Sequence, residues 1–497
     1  MNELSWSGQL PFPLLFSLQA LPWVGALAVW LYRDRPWSRW LGRGVALAEL
    51  ALAGVLVARL DAGNPVMQFA ERLDGLGYHV AADGMSALFV LLAALVVVLL
   101  TLYGMVRQVI SFGQLLAVML AFEGSLMLML LTLNLAWFLL AWGLQLALLT
   151  YLMHFWATTL ERRHALSRFV QYQVLGWFLF IAGCVVLGWN HADVTGGRWS
   201  FDLFDLERVP PEGKFQSAAF FLLFYGLAVR TPLFPLHGWL PNQTRHGMLA
   251  VAPVMLLGVK VGIYGIARFV LALTPEAVLT WQLYVVAFAM TGIFYTAFLA
   301  CLQTNLRRLL AFAVVSHTGL IIIGLFTLHP SGLQGAILLA TNFGLAVTVM
   351  LFMVGFVFKR TRTSELSLLG GLFDRIPFVA VAFLVGGLSI VGMPGTPGFD
   401  AAHLLYEAAI ERFGALPTVA AALGNVVAAG FLLFAFQKAF LAPPPAGSQA
   451  IEPVAWIEYW VGGISLGVLL LAGFFPEPWL NLTDATTRAL VARFAGG

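Results

Sequence analysis

The sequence predicts an all-α polytopic membrane protein of about 14 transmembrane helices, with two inverted five-helix repeats and broken seventh and twelfth helices. Three observations carry this expectation. Of the 497 residues, 60% are hydrophobic and only 10% are charged, whereas soluble domains carry about 25% charged residues, so lipid is the solvent that this composition fits. Apolar runs long enough to cross the hydrocarbon core, about 20 residues each, recur along the chain. Two of those runs are interrupted by paired prolines at corresponding places.

The runs begin near Leu10, Leu41, Met85, Phe112, Leu135, Phe169, Gln216, Met248, Val278, Arg308, Ser331, Pro377, Leu416 and Ala455. The first, Leu10 to Tyr32, is longer than a signal h-region and lacks a small-residue cleavage site, so it is read as a retained span. The fourth and fifth are separated only by a tight turn around Asn134. Arg33, Arg35, Arg39 and Arg43 follow the first span, Arg107 the third, and Arg162, Arg163 and Arg168 the fifth. Arg245 follows the seventh, Arg307 and Arg308 the ninth, and Lys359, Arg360 and Arg362 the eleventh. Basic residues gather on the cytoplasmic side, so odd loops lie inside and both termini outside. The longest even loop, Asn190 to Phe215, carries five carboxylates against three basic residues.

No loop is long enough to bury a core of its own, and APPPAGSQA after the thirteenth span reads as a flexible linker. The expected division is residues 1–111 (spans one to three), 112–272 (first repeat), 273–440 (second, inverted repeat) and 441–497 (span fourteen and tail). Cys184 and Cys301 offer neither a disulfide framework nor metal-ligand spacing, and a net charge of +3 without a basic run argues against nucleic acid. The partner that composition does imply is the lipid bilayer.

The seventh run contains Pro232 and Pro235, and the twelfth contains Pro394 and Pro397. Proline removes a helix hydrogen bond and clashes with the preceding turn, so each run is expected to break there. Taking spans four to eight and nine to thirteen as units places each break in the fourth helix of its unit. Five helices per unit invert one unit relative to the other, and matched broken helices point to an ion pathway; ordinary proline kinks are the alternative.

Charges inside spans are few, and each costs about 2.5–3.5 kcal/mol at mid-bilayer. Glu123 lies on the fourth span, Arg230 on the seventh, Lys260 on the eighth and His317 on the tenth. Asp400, His403, Glu407 and Glu411 follow the second break at helical spacing. Histidine and a desolvated lysine can exchange protons near neutral pH, whereas arginine is a poor relay member. Other roles stand beside these: packing for His317, an ion pair with Arg230 or Lys260 for Glu123, a helix cap for Asp400, a surface position for Glu407 and Glu411. Lys260 is too central in its run to snorkel.

TPLFPLHGWLP followed by GVKVGIYGIARF, DGMSALFVLL at Asp83, QTNLRRLLAFAVVSHTG, and GGLFDRIPFVAVAFLVGGLSIVGMPGTPGF together resemble the antiporter-like membrane subunits of respiratory complex I. Among these the chain is most similar to the M type (mitochondrial ND-four type), and Mrp-type cation/proton antiporters share the domain. The resemblance covers roughly Asp83 to Phe440. It implies fourteen spans, an external N-terminus, and a proton path of a fifth-span glutamate, lysines on spans seven and eight, central histidines and a twelfth-span lysine or acid. Carried over position by position, it implies path roles for Lys260 and His317 and puts Arg230 in place of the seventh-span lysine. It puts Gly143, after Trp142, in place of the glutamate, Phe343 in place of the eleventh-span histidine, and Ala402 at the twelfth-span acid, beside Asp400 and His403. Asn242, Gln243 and Thr244 stand where Asp-Ala-His is usual. With the carboxylate missing opposite Arg230, Glu123 is the expected substitute.

The resemblance thus implies a divergent, proton-translocating subunit of a complex I-type NADH–quinone oxidoreductase or related complex. It would have no redox cofactor of its own, other membrane subunits as partners, quinone reached through those partners, and a place in the bacterial inner membrane with both termini periplasmic. Whether the chain counts as an enzyme by itself the sequence leaves open. The alternatives are a membrane subunit of a Mrp-type antiporter or of a proton-driven inorganic-carbon uptake complex, and a non-conducting scaffold.

Overall fold

The computed structural model describes residues 3–107, 111–156, 161–247, 252–445 and 451–494. The expected start of the eighth span at Met248 and the second half of the linker, 446–450, lie outside the described residues. The chain opens with a short strand, β1 (Glu3–Ser5), then two apolar helices, α1 (Leu14–Leu31) and α2 (Ser38–Arg59). Strands β2 (Met67–Leu73) and β3 (Tyr78–Ala82) follow; β2 pairs parallel to β1 and antiparallel to β3. The described chain is mostly helical, as expected, and these three short strands add to that expectation. The strands lie outside the apolar runs, where Glu71 of β2 accepts the Leu15 and Phe16 amides, both at 2.9 Å, at the open end of α1.

The long helices then succeed one another: α3 (Gly84–Arg107), α4 (Phe112–Leu131), α5 (Leu135–Trp156) and α6 (Arg162–Val194). After the short α7 (Leu203–Arg208) come α8 (Gly213–Arg230), α9 (Trp239–His246) and α10 (Ala252–Gly265), which passes through a π-turn at Ile266–Val270 into α11 (Leu271–Leu273). Next are α12 (Pro275–Cys301), α13 (Leu306–Leu325), α14 (Pro330–Thr361) and the single turn α15 (Leu372–Arg375). The chain closes with α16 (Pro377–Ile390), α17 (Pro397–Phe413), α18 (Ala415–Phe436) with a π-turn at Gln437–Leu441, α19 (Trp456–Phe474) and α20 (Glu477–Val491). Among the described residues eleven helices are long and apolar enough to cross a membrane. The C-terminal tail holds α20, which packs on α3 and α14.

Burial sorts these helices into a centre and a rim. The apolar stretches of α4, α13 and α14 are 94% buried, against 33–44% for α1, α2, α5, α6, α12, α18 and α19. The rim helices turn one face outward, as helices do when hydrocarbon solvates them. Glu123 on α4 and His317 on α13 fall within these stretches and are inside the protein.

Both proline pairs interrupt a helix. Helix α8 stops at Arg230 and the chain becomes helical again at Trp239. Helix α16 stops at Ile390, and α17 starts with Pro397 in its first turn, where the missing N–H costs nothing. Two glycines allow the close approach at these breaks. A Cβ on Gly262 of α10 would lie 1.8 Å from Thr231 Oγ1, and one on Gly398 would lie 2.4 Å from Ser389 O.

Candidate proton path

A broken helix in a dry interior leaves carbonyls without partners, and each must find a donor elsewhere. At the first break the Leu233 amide reaches back to Ala228 O at 2.9 Å, and the indole of Trp239 donates to Val229 O, also at 2.9 Å. At the second, Asn425 of α18 donates through Nδ2 to Val391 O at 2.9 Å. Asn342 of α14 donates to Ser389 O at 3.1 Å, and the Ser389 hydroxyl returns a bond to Asn342 Oδ1 at 2.8 Å. The amides that hold the second break open thus come from helices on two sides of it.

Between the breaks runs a line of polar and aromatic side chains. It begins at Arg230, the last residue of α8, whose Nε donates to Gly258 O at 3.0 Å. Its Nη2 donates to Gln145 Oε1 of α5, and its guanidinium lies 5.0 Å from the ring centre of Trp142. Lys260, two residues beyond Gly258 on α10, is 2% exposed, and its ammonium has no hydrogen-bond partner. That nitrogen lies 4.3 Å from the ring centre of Phe343 on α14. Phe343 also stacks on the imidazole of His317 from α13, with centroids 5.1 Å apart and planes inclined by 28°. His317 Nδ1 faces Ala313 O at 3.1 Å, and Nε2 faces Asn425 Oδ1 at 3.0 Å. Since Asn425 Nδ2 is committed to Val391 O, the line ends on the freed backbone of the second break.

Lys260 and His317 are therefore brought to one ring, that of Phe343, whereas Arg230 reaches the helix of Lys260 only through the Gly258 carbonyl. The other expected residues do not join them. Glu123 is fully buried on α4, but neither of its oxygens has a hydrogen-bond partner, and it forms no ion pair with Arg230 or Lys260. It interacts instead with Glu49 of α2, equally buried and equally unpartnered. The expectation that Glu123 supplies the carboxylate for Arg230 is corrected: the neutral amide of Gln145, two residues past Gly143, takes that place. Asp400 does not cap α17, whose N-cap is Thr396. It sits half-buried in the first turn, where a carboxylate suits the helix dipole, beside Asn342 and Pro397 at a cavity of about 90 Å³. His403 and Glu407 point outward on α17, and Glu411 faces His329 at 3.5 Å.

Gln145, Asn425 and Asn342 were not singled out from the sequence, because a neutral amide in an apolar run carries no signal of charge. His237, buried in the segment between α8 and α9 with Nδ1 unpartnered, was also passed over. So was the ion pair between Arg268 Nη2 and Asp83 Oδ1, at 2.7 Å and almost wholly buried, although both residues lie in the quoted motifs. Among the described residues no group of three or more His, Cys, Asp or Glu side chains gathers as a metal site.

Comparison with known proteins gives the chain's relatives. Residues 132–427 match the family model described as NADH:quinone oxidoreductase/Mrp antiporter, transmembrane. The chain is 28% identical to NAD(P)H-quinone oxidoreductase chain 4 2 of Microcystis aeruginosa, over 96% of this chain and 93% of that one. It superposes on a chain of respiratory complex I from Thermus thermophilus with a TM-score of 0.85 at 26% identity, covering 96% of this chain and 99% of the other. A chain of the Mrp complex from Dietzia sp. DQ12-45-1b shares the fold, with a TM-score of 0.86 at 19% identity over 97% and 98% of the two chains. With a matched segment that spans more than half its length, the chain belongs to the NADH:quinone oxidoreductase/Mrp antiporter transmembrane family.

Proposed function

We propose that this chain is the proton-translocating, antiporter-like membrane subunit of a complex I-type NADH–quinone oxidoreductase or a related complex. The observation that carries this reading is Lys260, an amine held dry inside the membrane protein with no counter-charge bonded to it, on a line that joins two broken helices. A sealed structural lysine would be paired, because an unpaired buried charge costs several kcal/mol. A lysine that must take up and release a proton is better left without an anion. The similar proteins named above are chains of multi-subunit complexes, which supports other membrane subunits as partners. Quinone chemistry then belongs to those partners.

Fourteen spans are the reading we favour for the topology. Helices α8 with α9, α10, and α16 with α17 stand where the sequence predicts three spans beyond the eleven long ones. Two inverted units, residues 112–272 and 273–440, flanked by 1–111 and 441–497, find support in a shared detail: the fifth helix of each unit ends in a π-turn, at Ile266–Val270 and Gln437–Leu441. The basic residues of odd loops favour external termini in a bacterial cytoplasmic membrane. Asp400, beside the second break, is the candidate for the exit of the path.

The neutral Gln145 opposite Arg230, and Phe343 beside Lys260, favour one second reading: a scaffold that keeps the fold without conducting. Proton movement by the intact complex in liposomes, with the wild-type chain or Lys260→Ala, separates the two. The proposal expects the substitution to abolish this subunit's share of proton movement. Equal movement by both overturns it in favour of the scaffold.

A further inference from the structure

Phe343 is the shared neighbour of the two titratable groups at the centre of the line. Its ring faces the ammonium of Lys260 at 4.3 Å and the imidazole of His317 at 5.1 Å, and it is 1% exposed. No hydrogen bond joins Lys260 to His317. The lysine nitrogen has no such bond at all, and both imidazole nitrogens are engaged elsewhere, with Ala313 O and Asn425 Oδ1. A proton moves along a chain of hydrogen bonds, and an aromatic ring neither donates nor accepts in such a chain. The face of a ring does attract a cation, by about 0.5–2 kcal/mol.

We infer that Phe343 is a shutter in the path: its ring holds the Lys260 ammonium by face contact and fills the space a bridging water would need, so that a proton passes to His317 only when the ring turns aside. This rests on the reading of Lys260 as a proton carrier. In the open state the transfer is balanced without any further reactant. One N–H bond of the ammonium breaks as a bound water takes its proton, and the water releases one of its own protons to the imidazole nitrogen that holds the lone pair. Lysine ends neutral, histidine ends cationic, and the water is regenerated. A neutral ring has one N–H for two facing acceptors, whereas the cation donates to Ala313 O and Asn425 Oδ1 together.

The shutter makes a prediction that a packing residue does not. Histidine is close to phenylalanine in size and brings a donor and an acceptor to the same place. Leucine brings neither and still excludes water. In the intact complex reconstituted into liposomes, with proton leak read at rest without substrate, Phe343→His should raise the leak severalfold, because it puts a donor and an acceptor between Lys260 and His317 where the phenyl ring has neither. Phe343→Leu should not raise it. Adding Lys260→Ala to Phe343→His should return the leak to the wild-type level. Phe343→Gln, flexible and able to donate and accept, serves the same purpose should the histidine variant fail to assemble. A leak unchanged in both polar variants, in complexes whose turnover still depends on Lys260, overturns the shutter and leaves the proton-carrier reading standing. An equal rise in the leucine variant also overturns it. Turnover-linked movement that ignores Lys260→Ala overturns the parent reading instead.

Discussion

Replacing Asp83 by alanine removes one end of an almost wholly buried ion pair. Asp83 Oδ1 accepts the Arg268 guanidinium at 2.7 Å and the Ser86 amide at 2.9 Å, where it caps the start of α3. The two side chains are 4% and 1% exposed, so water cannot take the place of either. Arg268 keeps only the Tyr264 hydroxyl, at 3.2 Å from Nε, and a long contact of 4.0 Å with Met67 Sδ. Breaking a buried pair from one side costs about 3–5 kcal/mol, and losing an N-cap about 1 kcal/mol more. The pair also ties α3 to the helical run that carries Lys260, so the loss is felt at the path. Thermal unfolding of the detergent-solubilised chain should show a large loss for Asp83→Ala and a much smaller one for Asp83→Ala combined with Arg268→Met, because the double variant leaves no orphan charge. Equal losses in single and double variants would refute the reasoning, since the cost would then lie in the cap and not in the pair.

Three further outcomes are expected. Trp239→Phe keeps the ring but removes the N–H that satisfies Val229 O at the first break, so stability should fall by about 1–3 kcal/mol, read from the same unfolding transition; an unchanged midpoint would mean that another donor serves that carbonyl. Glu123→Leu removes a dry carboxylate that faces Glu49 without any bonded partner, and should leave stability unchanged or raise it by about 1–4 kcal/mol; a clear loss would reveal a partner for Glu123. Glu71 lies in the sheet outside the spans, and burial pushes its carboxyl up to about 7, partly opposed by the amides of Leu15 and Phe16. A carboxyl whose folded value exceeds its unfolded one favours the fold while protonated. Its contribution is therefore lost as pH rises from about 4.5 through about 7, an effect on the order of 3 kcal/mol. The unfolding midpoint of the wild type should fall over that range relative to Glu71→Gln, and a relative rise would contradict the assignment.

What the sequence made legible follows from the strength of each physical signal. Paired prolines within apolar runs announce the breaks, because no other residue both lacks the N–H and clashes with the turn before it. Lys260 stands out because a single cation in a long apolar run has no cheap explanation. Arg230 stands out likewise, but its partner did not: Gln145 is one amide among several, and only packing reveals that α5 carries it to the guanidinium. Glu123 was legible as a buried acid but not as the neighbour of Glu49, since nothing in either run says that α2 lies against α4. Asp83 and Arg268 were each visible in a motif, yet their pairing spans 185 residues of sequence. The strands of seven and five residues were hidden because so short a run shows little periodicity. Phe343 read as an absence, a missing histidine; its contact with both Lys260 and His317 is what makes it informative.

The central claim is that the amine of Lys260 is dry but not sealed. Solid-state NMR of the intact complex in bilayers, with lysine labelled at Nζ and bulk water replaced by deuterium oxide, tests this most directly. The signal should be identified by its loss in Lys260→Ala. The account predicts that the Nζ protons exchange with bulk deuterium while the backbone amides of the surrounding helices stay protected. A Lys260 signal that keeps its protons as long as those amides do would contradict it.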